Sequence, residues 1–147
     1  MFNEKVVWAM ERLMHATGWN AVQAAGVIGN LAHECAGFTV LREVGQPEGR
    51  GGYGWAQWTG PRRQAFLRWC DHQKLDWRSD AANMGFLLKE LREDYRSVVE
   101  RIGRCKTMEQ AVIAFEREYE RAGVVHMESR LAWAKKALAA WEKRGAA

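Results

Sequence analysis

The sequence predicts a mostly α (α+β) single domain: a succession of amphipathic helices with one small β-hairpin region directly behind the second. Three observations carry this expectation. Apolar residues recur at helical spacing along most of the chain, with capping residues where the pattern breaks. One interval, residues 39–53, holds too many glycines and turn formers for a helix. Finally, 147 residues of which 48% are hydrophobic suffice for one full core and not for two of ordinary size. Residues 1–147 are therefore read as one domain. The presence of only two prolines, Pro47 and Pro61, and the lack of any serine-rich or low-complexity run argue against a linker. The even spacing of Cys35, Cys70 and Cys105 is not accompanied by similar flanking residues, so it marks no repeat.

Asn3 is expected to cap a first helix with Glu4 in its first turn, and Val6, Val7, Met10, Leu13 and Met14 form its core stripe as far as Thr17-Gly18. His15 falls at its surface or core edge. Asn20 caps a second helix. At 100° per residue its Ala24, Ile28, Leu31 and Cys35 share one side, His33 points roughly opposite, and Glu34 lies on the flank in a strip with Val27 and Asn30. Glu34 is thus expected to be part-buried. Desolvation disfavours a charged carboxylate and raises its pKa, which is what a general acid needs to keep its proton near neutral pH. A glutamate near a helix end is more often merely solvated or paired, but the surroundings here are unusual. Gly26 and Gly29 sit inside the helix at a propensity cost of about 1 kcal/mol each. Close approach of another element explains them best. Gly37 ends the helix.

Phe38-Thr-Val-Leu41 has the composition of a short strand, and the glycine-rich residues that follow suit a hairpin turn. Behind it comes Gly51-Gly-Tyr-Gly-Trp-Ala-Gln-Trp-Thr-Gly-Pro-Arg-Arg63. Eight tryptophans are many for this length. Most belong to packing, yet flat aromatic faces beside polar groups also suit the apolar faces of sugar rings. Tyr53, Trp55, Gln57, Trp58, Thr59 and Arg62 are the candidate substrate contacts. Arg62 and Arg63, at the start of the next helix, are otherwise ordinary solvated charges.

Thr59-Gly60-Pro61 opens that helix, with Ala65, Phe66, Trp69 and Cys70 inward. A helix from about Ser79 to Glu93 buries Met84, Leu87, Leu88 and Leu91, and Tyr95 to Ile102 makes a shorter one. Thr107 and Gln110 form a capping box, behind which Met108, Ala111, Val112, Phe115, Tyr119 and Ala122 repeat with helical period. Glu116, Glu118 and Glu120 are read as solvated, with Glu120-Arg121 also a candidate pair near the cleft. The last helix, about Glu128 to Lys143, sets Leu131, Trp133, Ala134, Ala137, Leu138, Ala140 and Trp141 against Lys135, Lys136 and Lys143. Packing of its apolar half on the core is the first expectation; contact of the basic half with anionic outer-membrane lipid is the second.

A net charge of +4, from 22 basic and 18 acidic residues, favours any polyanion and selects none. The basic residues are scattered and no nucleic-acid motif is present, so no nucleic acid is expected as partner. Three cysteines without Cys-x-x-Cys or Cys/His spacing support neither zinc nor a disulfide framework. Reduced, packed thiols fit synthesis in a cytoplasm. The first residues lack the basic and apolar regions of a signal peptide, and no segment approaches the ~20 apolar residues of a membrane span.

The run Ala25 to Phe38, containing Gly26, Gly29, Asn30, Leu31 and Glu34, resembles the Gly-x-x-Gly-Asn-Leu segment leading to a glutamate in the phage tail lysozyme family. Gly52, Gly54, Gln57, Trp58, Thr59, Gly60 and Arg62 are similar to that family's second motif. Phe115, Tyr119, Glu120 and Arg121 match a weaker third. The resemblance spans about Trp19 to Arg130. It implies a lysozyme-like helical domain, with a small β-region beside the cleft, that hydrolyses the β-1,4 bond between N-acetylmuramic acid and N-acetylglucosamine in peptidoglycan glycan strands. Glu34 would be the general acid, while Gln57 and Thr59 orient substrate or water.

A glycosidase usually pairs its acid with a second carboxylate about 5 Å away for retention or roughly 6.5–9.5 Å away for inversion. Glu43, after the strand-like run, is the preferred candidate and Glu48 the other; some lysozyme-like enzymes use a single glutamate. No metal or organic cofactor is expected, and a monomer is. Such an enzyme, made without a signal peptide, reaches the wall by holin-type release or on the virion, and small size with a basic last helix favours a free endolysin. The alternatives are a lytic transglycosylase, which yields anhydro-muramyl ends, a non-catalytic wall-binding module and, last, a basic nucleic-acid binder.

Overall fold

The computed structural model describes residues 1–145, and they are mostly helical. In chain order the helices are α1 (Phe2–Thr17), α2 (Ala21–Glu34), α3 (Gly60–Gln73), α4 (Asp80–Arg92), α5 (Arg96–Gly103), α6 (Met108–Phe115) and α7 (Met127–Glu142). A π-helical turn, Glu116–Glu120, prolongs α6. The elements pack around α2, which is held between α1, α6 and α7.

Burial decides where α1 begins. Asn3 lies inside the helix and does not cap it; Met1 takes that position without a side-chain bond. Phe2 draws the chain end inward, its ring 5.4 Å from Trp133 and 6.1 Å from Phe38. The predicted stop holds, with Gly18 in the left-handed conformation at φ 79°.

Asn20 accepts from the Gln23 backbone N–H while the Gln23 side chain accepts from that of Asn20, a complete capping box on α2. From Gln23 to Ala32 every residue is buried, so α2 has no solvent face over these residues and is the central helix of the domain. The two glycines make that possible. A methyl at Gly26 would stand 2.7 Å from Ala111 Cβ on α6, and one at Gly29 would stand 2.6 Å from Ala134 Cβ on α7. Neither contact is sterically allowed, so both neighbours sit at glycine distance.

The β-hairpin does not form. Among the described residues there is no strand, only two isolated antiparallel bridges, Arg42 with Tyr53 and Tyr53 with Trp58. Phe38 takes φ 68° in the turn that ends α2, following Ala36 and Gly37 at positive φ; the run proposed as a strand therefore starts in a turn. Side chains then hold the loop backbone where a ladder was expected. Glu43 Oε1 accepts from Gly52 N, Tyr53 Oη accepts from Gly49 N, and Asn83 Oδ1 accepts from Trp55 N.

The later helices follow the predicted pattern with one register change. Ser79 caps α4 through Ala82 N, and Thr107 accepts from Gln110 N at the start of α6. The Gln110 side chain returns to Lys106 N instead of to Thr107, so this capping box is only half made. On α7, Ala134, Ala137 and Ala140 face inward while Lys135, Lys136 and Lys143 are exposed. Among the described residues no helix is long and apolar enough to cross a membrane.

Candidate active site

The end of α2, the loop before α3 and the π-helical turn after α6 enclose a cleft of about 450 Å³. Glu34, Glu43, Gln57, Thr59 and Glu120 line it. A groove of comparable size between α5 and α6, beside Arg101, Arg104 and Arg117, carries one carboxylate, Glu118, already paired with Arg101 at 3.6 Å.

Glu34 is held from behind. Its side chain is 18% exposed, and Oε1 accepts from Arg130 Nη2 at 2.9 Å. Arg130 projects from α7 and is 1% exposed; a buried guanidinium is tolerated when it is paired and its remaining N–H groups are bonded. Its Nε donates to Val125 O at 2.6 Å and its Nη1 to Asn30 Oδ1 at 3.0 Å. Asn30 is itself buried, and its Nδ2 donates to Gly26 O and Val112 O, both at 3.1 Å. The asparagine of Gly29-Asn-Leu31 thus ties α2 to α6 and aims the arginine that grips Glu34.

Glu120 stands at the C-terminal end of the π-helical turn, just before Arg121, whose φ is 51°. Its Oε2 is shielded from solvent and has no hydrogen-bond partner. Burial pushes its carboxyl well above the ordinary carboxylate pKa, and the negative charge of Glu34 pushes it further; Arg130 and Arg62 oppose this. Within the same turn Glu116 is 3% exposed, its Oε2 accepting from Ala122 N at 3.0 Å. The expectation that Glu116 and Glu120 are solvated is therefore corrected for both.

A second polar network lies under the cleft. Arg62 donates to Glu90 through Nε at 3.0 Å and Nη2 at 2.7 Å, and to Tyr119 O through Nη1 at 3.2 Å. Glu90 Oε1 also accepts from Tyr119 Oη at 2.6 Å and Trp58 Nε1 at 2.9 Å. Burial works against the Arg62 charge, but the bonds to Glu90 outweigh it and raise its pKa. Burial, followed by Glu90, raises the Tyr119 pKa well above the usual phenol value.

These contacts sort the predicted site residues. Glu34, Glu43, Gln57 and Thr59 meet at the cleft. Glu48 is exposed and does not line it. Trp55 and Trp58 are 0% and 1% exposed, so neither offers a face to a ligand; Trp58 packs 4.6 Å from Phe66 and 4.9 Å from Phe86. Tyr53 is buried against Trp77, and Arg62 is committed to Glu90. Glu43 uses both oxygens within its own loop, Oε1 on Gly52 N and Oε2 on Gln46 Nε2. Sequence reasoning missed Arg130 and Glu90, and it left Glu120 as a marginal candidate. Its Tyr119-Glu-Arg121 motif did carry a signal for the last.

All three cysteines are free. Burial pushes the Cys35 thiol up to about 12, so it stays neutral beside the glutamates. Among the described residues no group of three or more His, Cys, Asp or Glu side chains is arranged to hold a metal ion.

No curated protein sequence matches the chain significantly. The sequence model of a family described as phage tail lysozyme matches residues 4–141. That interval contains α2, the loop with Gln57 and Thr59, the π-helical turn and Arg130, and hence every residue of the cleft described above. The chain belongs to the phage tail lysozyme family, and with it to the peptidoglycan-degrading, lysozyme-like proteins.

Proposed function

We propose that the cleft hydrolyses the β-1,4 bond between N-acetylmuramic acid and N-acetylglucosamine, with Glu34 as general acid. The supporting observation is the meeting of Glu34, from the end of α2, with Gln57 and Thr59 across one open cleft. Those residues come from the two family motifs that the sequence carries most clearly. Glu34 gives its proton to the glycosidic oxygen as the bond to the muramyl anomeric carbon breaks. Charge then develops on the sugar ring as an oxocarbenium-like centre, and a water adds to it. Arg130, 2.9 Å from Glu34 Oε1, stabilises the carboxylate that the acid becomes once the proton has left. Gln57 and Thr59 orient the sugar or the water. Glu43 keeps its loop folded at the rim through Gly52 and Gln46.

The test is digestion of purified peptidoglycan by wild type and by Glu34→Gln, with released muropeptides read by mass spectrometry. Products with reducing muramic ends, lost in the variant, support the proposal. Anhydro-muramyl products would move the protein to transglycosylation. Binding without release by either protein would leave a wall-binding module.

A further inference from the structure

The groove between α5 and α6 has a volume of about 390 Å³ and a lining rich in positive charge. Arg101, in the last turn of α5, and Arg104, just beyond it, contribute two guanidinium groups. Arg117 on the π-helical turn contributes a third, and Ile113 of α6 adds apolar surface. These charges are not cancelled within the groove. Glu118 is the one carboxylate of the lining, and at 3.6 Å from Arg101 it forms an ion pair too long for a hydrogen bond. Arg104 and Arg117 are exposed, and among the described residues neither is paired with a carboxylate. Burial pushes the Cys105 thiol away from ionising, so it adds no negative charge. Gln110 commits its Oε1 to Lys106 N, which leaves its amide nitrogen as a further donor. A lining of this kind selects a ligand that is anionic and partly apolar. Guanidinium groups match carboxylates particularly well, since the planar fork meets both oxygens.

The π-helical turn relates the groove to the cleft. Glu118 lines the groove, and Glu120, two residues on, lines the cleft. The two sites therefore lie on either side of one helical turn, about 10–12 Å thick with its side chains. Peptidoglycan brings a ligand of that reach to any cleft that holds its glycan. Each muramic acid bears, on its lactyl group, a short peptide with free carboxylates and alanine methyl groups. About four residues of extended chain span roughly 13–14 Å.

We propose that the groove between α5 and α6 is the subsite for the acidic stem peptide of the substrate, Arg104 and Arg117 taking its carboxylates and Ile113 its methyl groups. This rests on the cleft receiving the glycan strand. The stem crosses the π-helical turn from the cleft to the groove, while Arg101 stays with Glu118. The subsite makes the protein selective for glycan that still carries its peptides, and the apolar surface of Ile113 sets it apart from a site for simple inorganic anions.

The test compares intact peptidoglycan with glycan strands from which an amidase has removed the peptides. Wild type is expected to show a kcat/KM roughly fivefold higher on the intact polymer, the scale of two part-exposed charge pairs, with the difference residing in KM. In the double variant Arg104→Gln/Arg117→Gln that ratio is expected to fall to near one. Equal kcat/KM on the two substrates in wild type, or an undiminished ratio in the double variant, overturns the proposal.

Binding is read apart from turnover and needs no variant. Titration of the wild-type chain with the amidase-released stem peptide, followed by amide NMR shifts, is expected to move the signals of Arg104, Ile113 and Arg117 and to weaken as salt rises. Signals that stay in place overturn the proposal, as do signals that inorganic phosphate moves equally well at the same concentration. Failure of wild type to cleave either substrate would defeat the hydrolase reading of the cleft, a result distinct from the outcome of the peptide titration.

Discussion

Arg130 Nη2 donates to Glu34 Oε1 at 2.9 Å, joining α7 to the end of α2 at the edge of the cleft. The same guanidinium is bonded to Asn30 and to Val125 O, so a single side chain fixes the acid, the centre of α2 and the start of α7. Its removal is expected to be severe. Arg130→Ala leaves Glu34 and Asn30 Oδ1 without their donor, and breaking a buried pair from one side costs roughly 3–5 kcal/mol. Denaturant unfolding of the two proteins measures this. Arg130→Lys, which keeps the charge but not the planar fork, is expected to fall between them.

The Arg62–Glu90 network predicts a different phenotype, because no atom of it lines the cleft. Tyr119→Phe deletes the 2.6 Å bond to Glu90 Oε1 and removes a neutral donor from a buried charge. Bonds of that kind contribute about 1.5–3 kcal/mol. The expected result is a lower unfolding midpoint with KM for peptidoglycan unchanged. A raised KM at full folding would instead mean that substrate reaches this network.

Why the helices were legible and half the site was not follows from the range over which each is determined. Asn20 with Gln23, Ser79 with Ala82 and Thr107 with Gln110 are local signals, satisfied within three residues. Gly26 and Gly29 announced close neighbours without naming them. Trp55 and Trp58 misled because an aromatic side chain in a motif does not reveal whether other segments bury it; here Trp8 and Phe38 pack on Trp55, and Phe66 and Phe86 on Trp58. Arg130 meets Glu34 across most of the chain, a contact that no spacing encodes. Glu120 was read as solvated on a helical period carried through to Ala122, whereas Glu116–Glu120 is π-helical and Glu120 lines the cleft.

His33 gives the fold a pH dependence of known sign. Its Nδ1 is 2.8 Å from Ser129 Oγ and its ring lies 5.5 Å from that of His126. Burial first, then Arg130 and His126, lowers its pKa from 6.5 to about 4. Between those values the unfolded chain takes up a proton that the folded chain refuses. Stability from this residue is thus present above pH 6.5 and is lost as pH falls toward 4. Urea midpoints from pH 4 to 7 are expected to slope less for His33→Phe than for wild type; parallel slopes would refute this.

Glycine substitutions test the helix contacts that hold the acid in place, and they are expected to give opposite signs at two positions. Alanine is ordinarily better than glycine in a helix by about 1 kcal/mol. At Gly103, in the last turn of α5, an added Cβ meets nothing within 4 Å and φ is not positive, so Gly103→Ala is expected to raise the melting temperature slightly. At Gly29 the same methyl would stand 2.6 Å from both Ala134 Cβ and Arg130 O. One of those atoms is backbone and cannot rotate aside, so α7 must move away from α2. Overpacking of this kind costs roughly 1–3 kcal/mol and more than cancels the propensity gain. The displaced segment carries Arg130, whose bond to Glu34 spans the same two helices. Gly29→Ala is therefore expected to lose more activity than its lowered stability explains when both are measured well below the melting temperature. An alanine there that left activity and stability intact would show that α2 and α7 are not held at glycine distance.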